Sequence, residues 1–318
     1  MPGQREAGSG CDGVLVVSKP AGPTSHDVVA LVRRLTGVRR VGHGGTLDPF
    51  AMGVLPVFLG RATRMVEYHL ADEKAYRATV VFGARSTTDD IDGRMTPGHG
   101  PPPDRDAVAA TLVAFLGRIE QVPPDYSAVH VGGRHAYQVA RGGQKPDLAP
   151  RSVTIHALAL VGWEGTDQGP TAVLDLRCSA GTYVRSVARD LGDRLGCGAY
   201  LGALTRTASG PFTMESAHPL EQVRAELAAG RGAALLLPPD AGLEAIPQVR
   251  IPARDRAALA QGQVVRLRSR LPGPADGSGA LDVATVVRVV DEAGRLAAMA
   301  HLREGRLYPD KVFISGEA

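Results

Sequence analysis

In the stretch VGHGGTLDPFAMGVLPVFLGRATRM, residues 41–65, one side chain stands out for its chemistry: Asp48. Two glycines precede it, Pro49 follows it, and apolar residues surround it. A carboxylate on a rigid, glycine-flanked turn can act as a nucleophile or as a general acid or base. The same residue can instead cap a helix that starts at Pro49, since aspartate before a proline at the first helical position is a common start. The two roles are compatible, because a helix N-terminus favours the ionised carboxylate. No second acid accompanies Asp48 in a recognised motif.

Several other chemistries have no support. The nine histidines are scattered, without an HExxH pair, and Cys11, Cys178 and Cys197 form no CxxC. TTDDIDG, residues 87–93, is acidic but lacks the distal glutamate of a calcium loop, so it is expected to be a turn. No GxGxxG follows a strand, and neither GxxxxGK[ST] nor GxSxG occurs. Neither cofactor nor metal is expected.

The elements that must position Asp48 can be read from periodicity. GVLVVSKP, residues 13–20, predicts a short buried strand, and HDVVALVRRLTG a helix capped by Thr24 or Ser25 and stopped by Gly37. Residues 76–83 alternate as a strand with Tyr76, Ala78, Val80 and Phe82 on one face. Helices are predicted over 105–117, HAYQVAR, 181–196 and 219–230; strands over 152–163 and 171–179; extended chain over 201–212; and a loop over 95–104. Strands and helices intermix without a regular βαβ repeat, which predicts an α+β fold with a mixed, largely antiparallel sheet. Near residue 246 the pattern changes to short alternating strands and turns, broken by the loop LPGPADGSGALD, residues 271–282. The expected organisation is a flexible N-terminus over 1–12, a catalytic domain over 13–245 and a small β-rich domain over 246–316.

A chain of 318 residues with 44% hydrophobic and 22% charged residues can bury a sizeable core. No apolar run approaches the roughly 18 residues that span a bilayer, and the polar start MPGQREAGSGCDG lacks a secretion signal's apolar centre. An odd, unpaired cysteine set fits a reducing compartment, so a cytoplasmic location is expected. Net charge is only +3, but Arg33, Arg34, Arg39, Arg40, Arg61 and Arg64 cluster around the lone acid Asp48. That field suits an anionic partner such as nucleic acid, or else a solvated helix face.

The stretch GHGGTLDPFAMGVLPVFLGRATRM resembles the catalytic motif of the TruB family of tRNA pseudouridine-55 synthases. Further segments follow in family order: SKPAGPTSHDVV, EKAYRATVVFGARSTTDDIDG, DYSAVHVGGRHAYQVARGG and GTYVRSVARDLGDRLGCGAYLGALTRTASGPF. The resemblance covers about residues 13–215, and the C-terminal segment is more loosely similar to a PUA-like domain. It implies that Asp48 is the nucleophile and that Arg185 pairs with it. It implies that Tyr76 stacks on the target base, with proton acceptance as a second role, and that Leu204 walls the pocket. His43 is implied to help hold the flipped-out RNA, and Lys19 to lie beside the pocket. The implied substrate is the T-stem-loop of tRNA, with no membrane partner, and a monomer is expected.

That implied reaction explains a single acid. Isomerising uridine breaks the N-glycosidic bond, turns the uracil and rejoins it through carbon 5, with no redox change and no group lost. A retaining glycosidase needs a second carboxylate to activate water; here water must stay out, which favours an apolar pocket. Arg33, Arg34, Arg39, Arg40, Arg61 and Arg64, with Arg134, Arg141 and Lys145, are the expected RNA-backbone contacts. Two rivals remain open: an RNA-binding module with secondary catalysis, and a carboxylate glycosidase that releases free uracil.

Overall fold

The computed structural model describes residues 12–166, 169–267 and 285–314; the N-terminal segment expected over 1–12 (apart from Asp12), Cys11 and the loop expected over 271–282 lie outside the described residues. Along the chain run β1 (Gly13–Lys19), α1 (Ser25–Thr36), β2 (Val41–His43), β3 (Met52–Leu59), α2 (Val66–His69), β4 (Lys74–Phe82) and the small hairpin β5 (Ala84–Ser86) and β6 (Met95–Pro97). Then come α3 (Arg105–Leu112), β7 (Gly117–Gln121), the two-residue strands β8 (His130–Val131) and β9 (Arg134–His135), α4 (Ala136–Arg141), β10 (Arg151–Thr166) and β11 (Gly169–Cys178). α5 (Val184–Arg194), β12 (Ala199–Ser209), β13 (Phe212–Thr213), β14 (His218–Pro219) and α6 (Leu220–Ala228) complete the larger part. β15 (Gln248–Arg250), α7 (Ala253–Ala260), β16 (Val265–Arg266), β17 (Thr285–Val290), β18 (Leu296–Arg303) and β19 (Arg306–Val312) make up the rest.

The fold is α+β around a mixed sheet of order β14-β1-β3-β12-β4-β11-β10-β7, with β2 on β3 and β13 on β12. Only β1–β14 and β3–β12 pair in parallel within it. A second sheet has order β15-β17-β18-β19-β16. No helix among the described residues is long and apolar enough to cross a membrane.

The unbroken apolar runs of β1 and β3 follow from burial on both faces. Leu15, Val17, Leu55 and Val57 pack on the side of α1, whose Val28, Val29, Leu31 and Val32 face inward. Val14, Val16, Val54 and Phe58 pack on the other side with Met299 and Phe313 of the C-terminal unit. α1 starts where its capping chemistry starts: Thr24 Oγ1 accepts from Asp27 N–H, and Asp27 accepts from Thr24 N–H. Gly37, left-handed at φ +70°, ends it.

One expectation is corrected. No helix starts at Pro49: Ala51 N–H closes one turn onto the Asp48 carbonyl, and the chain then enters β3. Gly53, at φ +103° and opposite Arg206, permits the close pairing of β3 with β12, because a Cβ there would lie 2.2 Å from the Arg206 carbonyl oxygen. Arg61 and Arg64 tie the larger part to the C-terminal unit. Arg61 pairs with Asp12 and donates to the Phe313 carbonyl, while Arg64 donates to the Val312 carbonyl at 2.9 Å and covers the Phe313 ring. Buried Lys311 meets Glu67 from the opposite direction. These charges hold the two sheets together.

Candidate active site

Five neighbours fix the turn that carries Asp48. Arg206, fully buried on β12, donates to the carbonyls of Gly45 at 3.1 Å, Thr46 at 3.5 Å and Val54 at 2.7 Å. Ser25, at the first position of α1, donates to the Leu47 carbonyl at 3.1 Å and accepts from Leu47 N–H at 2.8 Å. Gly22 N–H and Lys19 Nζ both reach the Pro49 carbonyl, at 2.9 and 3.2 Å. Both backbone groups of Leu47 and the carbonyls of Gly45, Thr46 and Pro49 therefore have partners, and such rigidity is what a reacting carboxylate needs.

Arg185, on the first turn of α5, supplies the fifth contact. Its Nε lies 2.9 Å from Asp48 Oδ2 and its Nη2 3.3 Å from Oδ1, a two-point fork. The Arg185 side chain is 5% exposed and that of Asp48 34%, so the cation is buried and the acid remains open to a ligand. Arg185 also donates to the carbonyls of Thr88 and Tyr126, and its Nη1 lies 3.4 Å from Asp90 Oδ2. Asp90 is buried, accepts from the Thr88 hydroxyl and from Asp92 N–H, and shares the guanidinium with Asp48. Burial pushes its carboxyl above the usual range, against the pull of Thr88 and Arg185. The sequence reading missed this second acid because TTDDIDG has the composition of an ordinary turn.

β4 and β12 form the floor. Tyr76 pairs with Arg206, and Ala78 with Leu204, which puts Tyr76, Leu204 and Arg206 on one face beside the turn. Leu204 is buried in the main core, and half-buried Tyr76 packs against it. Burial pushes the Tyr76 phenol up, with the Arg206 guanidinium opposing.

His43 ends β2, half-buried, with its ring edge-to-face with His26 at 5.5 Å. Gly45 N–H donates to its Nδ1 at 3.3 Å, which leaves the proton on Nε2. Burial, then His26 and Arg206, hold this imidazole below its ordinary value, so it is neutral at pH 7.

Lys19 is fully buried against the turn that carries Asp48, and its ammonium donates to the carbonyls of Pro20, Pro23 and Pro49, so it braces these loops. Burial pushes it down to about 8, which still leaves it charged at neutral pH. Lys19→Met is expected to orphan these carbonyls and to lower the unfolding free energy by about 2 kcal/mol in urea titrations, with tRNA affinity unchanged. A variant as stable as the wild type would mean the carbonyls find other partners.

Of the basic residues, Arg34 is exposed on the last turn of α1 and Arg39 and Arg40 just beyond it, and Arg33 ties α1 to β2 through the Val41 carbonyl at 3.0 Å. Arg134, Arg141 and Lys145 are exposed on the β8–α4 excursion, with Arg141 over the Tyr137 ring. Among the described residues no three His, Cys, Asp or Glu side chains converge to hold a metal ion. The clefts lined by Pro211, Phe212 and Arg288, and by Arg61, Arg256 and Phe313, lie at the junction with the C-terminal unit and contain none of the residues around Asp48.

Residues 33–184 match the model of the TruB family pseudouridylate synthase N-terminal domain, and residues 185–244 that of the tRNA pseudouridylate synthase B C-terminal domain. The chain is 48% identical over 266 residues to tRNA pseudouridine synthase B of Symbiobacterium thermophilum, covering 83% of this chain and 87% of that protein. It is 42% identical over 306 residues to the protein of the same name from Nitrobacter winogradskyi, covering 95% and 82%. Among solved structures, a Cbf5-Nop10-Gar1 complex is similar at TM-score 0.69 and 27% identity, over 96% of this chain and 85% of the other.

Proposed function

The chain belongs to the TruB family of pseudouridylate synthases, and from that premise we propose that it isomerises uridine 55 in the T-loop of tRNA, with Asp48 as nucleophile and no cofactor or metal. As a tRNA pseudouridine synthase it is an isomerase that turns uridine in tRNA into pseudouridine. The observation that carries the finer reading is the two-point contact between buried Arg185 and open Asp48. A guanidinium in a low-dielectric site favours the ionised carboxylate, and Asp48 keeps exposed surface to meet a substrate.

With U55 everted against Tyr76, an Asp48 oxygen bonds to the ribose C1′ as the N1–C1′ bond breaks. The uracil turns in place, and C5 displaces the carboxylate. The C5 proton then leaves and the former N1 takes one up, so no atom is gained or lost. Everting the base costs a few kcal/mol, which stacking on the Tyr76 ring offsets. Leu204 keeps that side dry, and neutral His43 offers a flat face and one N–H to the RNA. Arg33, Arg34, Arg39, Arg40, Arg134, Arg141 and Lys145 meet phosphates. Residues 246–316 act as a PUA-like RNA-binding domain on a monomeric enzyme.

Two measurements test this. Unmodified tRNA incubated with the protein is expected to gain pseudouridine at position 55 alone, with no free uracil. Free uracil would mean a glycosidase, and tight tRNA binding without isomerisation would mean a binding module. Arg39→Ala and Arg40→Ala are each expected to weaken tRNA binding and to reduce the slope of log affinity against log salt by about one. An unchanged slope removes that residue from the phosphate contacts.

A further inference from the structure

α5 carries a second arginine, Arg189, one turn beyond Arg185 and on the same side. Its Nη1 lies 2.9 Å from Asp89 Oδ2, its Nη2 donates to the Val122 carbonyl at 2.9 Å, and its Nε meets Asp190. Ser186, between the two arginines, donates to the same Val122 carbonyl at 2.8 Å. Arg185 holds the same two segments one turn earlier, through the carbonyls of Thr88 and Tyr126. The segment around residues 86–93 and that around 122–126 are thus each gripped twice from one helix face.

Asp89 has an unusual backbone. Its φ of +61° is left-handed, a conformation shared among described non-glycine residues only with Glu304. Aspartate tolerates that region better than most residues but at a cost. Here it is pinned: Asp89 N–H donates to the Ser86 carbonyl at 3.2 Å, and its carbonyl accepts from Leu201 N–H at 3.0 Å. The result is that consecutive carboxylates separate, Asp89 towards Arg189 and Asp90 towards Arg185.

We propose that Asp89 and Arg189 are a positioning pair, which fixes the 86–93 turn and the 122–126 segment on α5 so that Arg185 holds its fork in register with Asp48. The proposal rests on the reading that Asp48 carries the chemistry. Neither partner is assigned contact with substrate. Loss of the pair lets the Thr88 and Tyr126 carbonyls drift, the Arg185 donors follow, and the two-point contact on Asp48 loosens. A displacement of about 1 Å at a reacting group can cost on the order of 100-fold in rate.

The test is single-turnover pseudouridine formation in tRNA by the full-length protein, with tRNA affinity and melting temperature measured alongside. Asp89→Gly is the cleanest variant, because glycine accepts the left-handed backbone and removes only the carboxylate. Asp89→Gly and Arg189→Gln are each expected to slow the reaction about 10- to 100-fold, with tRNA Kd within twofold. The double variant is expected to be no slower than the worse single one, and Arg189→Lys, which keeps the charge, to recover part of the rate. A wild-type rate for Asp89→Gly overturns the proposal, as do losses that multiply in the double variant or a Kd that rises in step with the lost rate. Asp48→Asn run in parallel separates the two readings. If it is inactive while Asp89→Gly is normal, only the positioning pair fails; if it stays active, the catalytic reading fails as well.

Discussion

Asp48→Asn is expected to abolish pseudouridine formation, with a loss on the order of 10⁵-fold in single-turnover rate, the scale met when a nucleophile is removed. The amide matches the carboxylate in size, and the turn is held by Arg206, Ser25, Gly22 and Lys19 through its backbone. The loop geometry therefore survives the change, and tRNA affinity is expected to stay within a few-fold of wild type. What disappears is the negative charge facing Arg185 and the oxygen proposed to bond to C1′. Asp90 cannot substitute, because it is buried and tied to Thr88 and Asp92. A variant that still isomerises uridine at more than a hundredth of the wild-type rate would remove Asp48 from the nucleophile's role.

Arg185→Lys is expected to cost less, but still on the order of 10³-fold, although the charge is conserved. Arg185 makes five contacts from one planar group: two on Asp48, one on Asp90, and one each on the carbonyls of Thr88 and Tyr126. An ammonium has three donors at one point and cannot span that set. Arg185→Met goes further and leaves Asp90 buried without a cation, a change that typically costs about 3–5 kcal/mol of stability. The pair of variants separates the two duties of the residue. Lysine should lose rate with modest loss of stability, and methionine should lose both. Equal rates for lysine and wild type would show that a point charge near Asp48 is enough.

Much of this architecture was legible in the sequence where local chemistry and tertiary demand agree. The Thr24 cap, the Gly37 stop and the 3.6-residue spacing of Val28, Val32 and Leu35 specify α1 without help from the rest of the chain. The alternation in β4 puts Tyr76 on the face of Ala78 and Val80, the same face that its pairing with β12 brings to Leu204 and Arg206. Asp-Pro has the local signature of a helix start, but after a single turn the chain enters β3, whose Gly53 admits the close approach of β12. Arg206 escaped notice because an arginine in LTRTASG looks solvated, although its position two residues after Leu204 on one strand face already turns it inward. The contacts of Arg61 and Arg64 with Phe313 and Val312 have no local signature, because the partners lie some 250 positions away. Asp90 joins the site through Arg185, a contact across 95 residues of chain.

The central claim is that the Asp48 carboxylate is the group aimed at the sugar of an everted uridine. The most direct measurement is a crystal structure of the protein bound to a T-stem-loop RNA carrying an unreactive uridine analogue at position 55. The expected result is an everted base lying on Tyr76, with an Asp48 oxygen about 3–3.5 Å from C1′ and still paired with Arg185. A base that stays in its stack, or one everted with Asp90 rather than Asp48 against C1′, would contradict the claim.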